Sequence, residues 1–113
     1  MSAIRALAKT AYYPVFLKLQ GRKCLVVGGG EVAERKVSLL LDCGARVQVV
    51  SPHFTPGLNQ RAARDEVELL ARPFQPQDLE GSFLAIAATS DPQVNHLVAT
   101  EAERRGLLVN VVD

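Results

Sequence analysis

Three consecutive glycines, Gly28-Gly29-Gly30, join a short apolar run to an amphipathic one, and this junction constrains the fold more than any other feature of the chain. The run before it, KCLVVGG over 23–29, has the Val and Leu content of a buried β-strand. The run after it, EVAERKVSLLLDC over 31–43, places Ala33, Val37, Leu40 and Leu41 at helical spacing, with Glu34, Arg35 and Asp42 among the polar positions between. Gly44 stands where a helix-ending glycine is expected. A strand that turns sharply into a helix must return to its sheet by a crossover, and such crossovers produce parallel sheets.

The rest of the chain keeps that rhythm. ARVQVVS over 45–51 reads as a second strand, a weaker helix lies within 55–64, and VELLAR over 67–72 reads as a third strand. SFLAIAAT over 82–89 is apolar on both faces and reads as an interior fourth strand. Asp91-Pro92 sets a capping acid before a proline at the first helical position, and the helix runs to Arg105, burying Val94, Leu97 and Val98, before Gly106. LLVNVV over 107–112 is a fifth strand, and YYPVFLKL over 12–19 reads as an extended segment flanking the sheet edge. The expectation is one α/β domain over 1–113, a Rossmann-type doubly wound parallel sheet of five strands in spatial order 3-2-1-4-5, with residues 1–11 a loose N-terminal segment.

Ligands of such sheets bind beyond the strand C-termini, where the strand order reverses. Gly28-Gly29-Gly30-Glu31-Val32-Ala33 fits G-x-G-x-x-G/A in the required context, after a strand and opening a helix. In that pattern Gly28 makes the tight turn, Gly30 lets backbone approach a pyrophosphate, and Ala33 permits close helix–strand packing. Free N–H groups at the helix start attract the anion. Backbone atoms of Glu31 and Val32 are candidate cofactor contacts. One element is missing, because the acid that normally holds the ribose diol is replaced by Ser51-Pro52-His53 at the end of the second strand. No arginine adjoins Ser51 in sequence, which favours NAD over NADP unless Arg46 or Arg72 reaches the pocket.

Composition narrows the class. Hydrophobic residues make up 48% and aromatic residues 5%, so the core rests on Val, Leu, Ile and Ala, as in a buried parallel sheet. No apolar run approaches the ~20 residues of a membrane span, and no signal-peptide pattern is present, so the chain reads as cytoplasmic. Cys24 and Cys43 form no Cys-x-x-Cys pair and His53 and His96 are isolated, so no metal site is legible. Residues 1–64 carry ten Lys and Arg against three Asp and Glu, a basic bias that would suit a polyanionic ligand if it faced the pocket. Without interleaved aromatic and basic residues, nucleic acid is not an expected partner.

These residues also carry a resemblance. GGGxVAxRK at 28–36, AATxDxxVN at 87–95 and NVVD at 110–113, in this order, resemble the N-terminal module of siroheme synthases and the related stand-alone precorrin-2 dehydrogenases, some of which are also sirohydrochlorin ferrochelatases. The resemblance covers residues 13–113. It implies NAD-dependent oxidation of precorrin-2 to sirohydrochlorin, with ferrous iron as a second substrate in bifunctional members. It also implies cofactor contacts at Gly28–Val32, at Pro52-His53 and around Thr89, and a catalytic acid at Asp113. In the family a dimerising, largely helical region follows, so the natural protein is expected to be a longer homodimer. A regulatory nucleotide-sensing domain is the alternative, but such domains usually carry an acid where this chain has Ser51, and NVVD has no purpose there. A short-chain dehydrogenase would need Tyr-x-x-x-Lys, which Tyr12 and Tyr13 do not provide.

Overall fold

In the central strand β1 (Lys23–Val27), Cys24 and Val26 face one side of the sheet, Leu25 and Val27 face the other, and all four are buried. The computed structural model describes residues 11–112; residues 1–10 and Asp113 lie outside it. β1 is flanked by β2 (Arg46–Ser51) and β4 (Leu84–Ala87), and β3 (Glu68–Ala71) and β5 (Leu108–Val111) form the edges. The order is β3-β2-β1-β4-β5 and every pairing is parallel, as expected from the sequence. The reversal therefore lies between β1 and β4.

Two layers cover the sheet. Helix α1 (Glu31–Asp42) presents Ala33, Val37 and Leu40 to Cys24, Val26, Val47, Val49 and Ile86. The short α2 (Pro56–Ala63) joins that layer through one fully buried residue, Leu58, and its Thr55 cap accepts the Leu58 N–H at 3.2 Å. Truncating Leu58 to Ala should cost about 2–5 kcal/mol, the usual range for a buried leucine. On the opposite face, α3 (Pro92–Arg104) buries Val98 and Ala102 against Leu25, Val27, Ala85 and Ala87. Asp91 caps α3 by accepting the Gln93 N–H at 2.9 Å, as the Asp-Pro pair predicts.

The structure differs from the sequence-based expectations at three places. Leu97 is 42% exposed, because the buried stripe of α3 runs through Val94, Val98 and Ala102 at four-residue steps and leaves Leu97 on its rim. Residues 12–19 form no strand, and Tyr12, Tyr13 and Phe16 are exposed. A 3-10 turn at Pro76–Leu79, absent from the sequence reading, fills the second face with the fully buried Leu79.

Candidate dinucleotide site

The strand ends open into a cavity of about 930 Å³ at the β1–β4 reversal. This volume is near the upper end of the roughly 300–1,000 Å³ typical of small-molecule sites. Gly28, Gly30, Glu31, Val32, Ser51, Pro52, His53 and Thr89, all proposed from sequence, line it together. Asp113 lies outside the described residues; its predecessor Val112 lines the cavity and donates its N–H to Ala87 O at 2.9 Å.

The three glycines have three different causes. A Cβ on Gly28 (φ +131°) would meet Ala88 O at 2.4 Å, so this glycine lets β1 turn beside β4. A Cβ on Gly29 would lie 1.9 Å from His53 O, and Gly29 O accepts the Thr55 N–H at 2.9 Å. Gly29 thus seats the β2–α2 loop on the glycine turn, a role that the x of G-x-G does not disclose. Gly30 differs from both: its φ of −89° and ψ of −166° suit any residue, and a Cβ there would meet nothing within 4 Å. The chain itself does not need glycine at 30. Only something outside the chain, approaching through that space, would.

Gly30 is also the N-cap of α1 and offers no side-chain cap, whereas α2 and α3 are capped by Thr55 and Asp91. The first N–H groups of α1 have no intrahelical acceptor, and its positive dipole end opens on the cavity. An anion such as a pyrophosphate would satisfy both. Of the two acids in the first turn, Glu34 is engaged elsewhere, accepting the Thr55 hydroxyl at 2.6 Å against Gly57. Glu31 stays exposed on the cavity wall.

Asn95 fixes the β4–α3 loop opposite. Its Oδ1 accepts the Thr89 N–H at 3.1 Å and hydroxyl at 2.8 Å, and its Nδ2 donates to Thr89 O at 3.0 Å. The Thr89 hydroxyl in turn accepts the Asp91 N–H at 3.1 Å. Asn95 thereby holds the loop that carries Thr89 along the cavity, which accounts for the threonine and asparagine of AATSDPQVN. At the third wall, Ser51 Oγ accepts the His53 N–H at 3.4 Å, and His53 is exposed.

Neither candidate arginine lines the cavity. Arg46 begins β2 at the opposite edge of the sheet and donates to Gly21 O at 3.2 Å. Arg22 and Lys23 sit at that same far edge, so this part of the basic bias does not face the site. Arg72, just past β3, is held bidentately by Asp78, with Nη1 to Oδ2 at 2.9 Å. Burial alone would raise the Asp78 carboxyl. The Arg72 hydrogen bonds, the Gln75 N–H and the charges of Arg72 and Lys23 outweigh it and hold the carboxyl below the usual range.

A glycine turn of this kind at a strand-order reversal invites comparison with known cofactor folds. The model of a family described as NAD(P)-binding matches residues 15–113. The chain belongs to that NAD(P)-binding family. Within it, the chain is 54% identical over 102 residues to the siroheme synthase of Chromobacterium violaceum and 53% identical over 102 residues to that of Photorhabdus laumondii. Each match takes 90% of this chain and 22% of the relative, so the chain spans about a fifth of those proteins' length. The solved structure of SirC, a precorrin-2 dehydrogenase, superposes with a TM-score of 0.79 at 34% identity, covering 88% of this chain and 48% of SirC. Escherichia coli D-lactate dehydrogenase shares the fold alone, with a TM-score of 0.64 at 16% identity.

Proposed function

We propose that this chain is the dinucleotide-binding part of an NAD-dependent precorrin-2 dehydrogenase that forms sirohydrochlorin on the route to sirohaem. The observation that carries the substrate is the likeness to SirC, close in both sequence and backbone. The vacant space at the Gly30 Cβ position supports the cofactor, since it leaves a path to uncapped N–H groups that a pyrophosphate would fill.

In this reading the backbone of Gly28, Gly30, Glu31 and Val32 holds the pyrophosphate, Ser51, Pro52 and His53 border the adenosine ribose, and Thr89 borders the nicotinamide side. Bound there, NAD supplies the hydride acceptor for an oxidation in which the substrate loses one hydride and one proton. Asp113, next in sequence after the cavity-lining Val112, takes the proton. A carboxylate in a partly apolar pocket has its pKa raised toward the value a general base needs. In a bifunctional member the same acid would accept pyrrole protons as ferrous iron, a substrate, enters the ring. NAD is preferred to NADP because, among the described residues, no arginine lines the cavity to pair with a 2′-phosphate. The working form is a cytoplasmic homodimer in which further chain encloses the tetrapyrrole.

The test is turnover of precorrin-2 by the complete protein, following NADH and sirohydrochlorin together. Equimolar appearance of both supports the proposal. NAD binding without oxidation of precorrin-2 would assign the fold a different substrate.

A further inference from the structure

The end of β2 lacks the acid that in related sites binds the 2′-hydroxyl and repels a 2′-phosphate. Any refusal of the phosphorylated dinucleotide must come from elsewhere in the cavity wall, and the neighbouring strand end is built around a restrained cation. Ser51 pairs with Ala71 across β2 and β3, so Arg72 begins about 5 Å to the side of the ribose end, one strand spacing away. Pro73 and Phe74, which follow it, line the same cavity as Ser51, Pro52 and His53. The guanidinium itself does not line the cavity, and its Nη1 donates to Pro73 O at 3.2 Å.

Asp78 holds it there. Its side chain is 4% exposed, its two oxygens take the two ends of the guanidinium fork, and Oδ2 also accepts the Gln75 N–H at 2.8 Å. The 3-10 turn Pro76–Leu79 places the carboxylate through its capping box with Gln75. An ion pair with one nearly buried partner contributes little net stability compared with an apolar pair of the same shape. Its more distinctive consequence is that the arginine's phosphate-binding fork is already occupied.

We propose that Asp78 is a specificity-determining residue: by capturing the Arg72 guanidinium, it withholds from the ribose end of the cavity the cation that a 2′-phosphate would need. Removing the charge while keeping the shape frees the guanidinium to pair with a 2′-phosphate, and the site then accepts NADP. This rests on the dinucleotide occupying the cavity as proposed above.

The experiment measures dissociation constants for NAD and NADP by calorimetry on the complete protein, for the wild type and for Asp78→Asn, Arg72→Gln and the Arg72→Gln/Asp78→Asn double variant. Asp78→Asn keeps an oxygen for the Gln75 N–H; if it does not fold, Asp78→Ser, whose hydroxyl can take the same bond, replaces it. The NADP:NAD ratio of dissociation constants should fall about tenfold or more in Asp78→Asn, the scale of a new charge-assisted bidentate contact. It should stay unchanged in Arg72→Gln and return to the wild-type value in the double variant. Equal weakening of both dinucleotides in Asp78→Asn would overturn the proposal and leave Asp78 a structural cap. A ratio that stays low in the double variant would overturn the capture of Arg72, and selective loss of NADP in Arg72→Gln would show that the guanidinium was free all along. A wild type that binds neither dinucleotide would overturn the cavity assignment itself, and this proposal with it.

Discussion

The three glycines of the turn predict two kinds of outcome, and Gly30→Asp is the sharpest test. The new side chain meets no atom of the protein within 4 Å of its Cβ, and the backbone at 30 is already extended. Aspartate is a better N-cap than glycine by a few tenths of a kcal/mol, and a negative charge at a helix N-terminus adds about 0.3–1 kcal/mol. Gly30→Asp should therefore leave the fold intact and raise the melting temperature by a few degrees. Binding goes the other way. Two unit charges about 4 Å apart in an effective dielectric near 20 repel by about 4 kcal/mol, and even two-thirds of that weakens NAD roughly 100-fold. Gly28→Ala and Gly29→Ala should instead lose about 3 kcal/mol or more of stability, because their Cβ atoms collide with backbone at Ala88 and His53. Denaturant unfolding and NAD calorimetry on all three variants separate the cases. Unchanged NAD affinity in folded Gly30→Asp would refute the phosphate-turn assignment, and an unfolded Gly30→Asp would refute the claim that glycine at 30 serves only a ligand.

Asn95→Ala removes the acceptor of the Thr89 N–H and should cost about 1–3 kcal/mol in denaturant unfolding while weakening NAD severalfold, since the loop it loosens lines the cavity. Because the Asp78 carboxyl is held below its ordinary value, its contribution to stability is fully present above the unfolded pKa of about 4 and is lost as pH falls through the folded one. Unfolding measured at stepped pH should show this acid loss, and Asp78→Asn should flatten it. Asp113→Ala in the complete protein should retain NAD affinity and lose turnover of precorrin-2 about 100-fold or more, as for a displaced acid–base group. Near-normal turnover would place the base elsewhere.

The parts of the fold legible in the sequence are those with local causes. Apolar β-forming runs and helical spacing located the five strands and three helices of the described residues, and the glycine turn marked β1, so the strand order followed from crossover rules. What was missed depends on partners distant in sequence. Leu79 stands alone in the sequence, with no periodic neighbours to announce a buried turn, yet it is fully buried. Leu97 reads as core by hydrophobicity, and only the angle at which α3 meets the sheet leaves it outside. Gly29 sits at the unconstrained position of its motif, and its need for glycine comes from His53, two elements away. Asn95 belongs to a recognisable motif, but its work on Thr89 becomes visible only when the loop closes. The restraint of Arg72 by Asp78 likewise has no sequence signature, since the two residues are joined by an irregular turn.

The most direct test of the central claim is an amide NMR titration of this chain with NAD. The account predicts that the amides of Gly30, Glu31 and Val32 shift most, that those of Ser51, His53 and Thr89 shift with them, and that Arg46 and Glu68 at the far edge of the sheet stay unmoved. Shifts confined to the far edge, or none at NAD concentrations that saturate ordinary dehydrogenases, would contradict it.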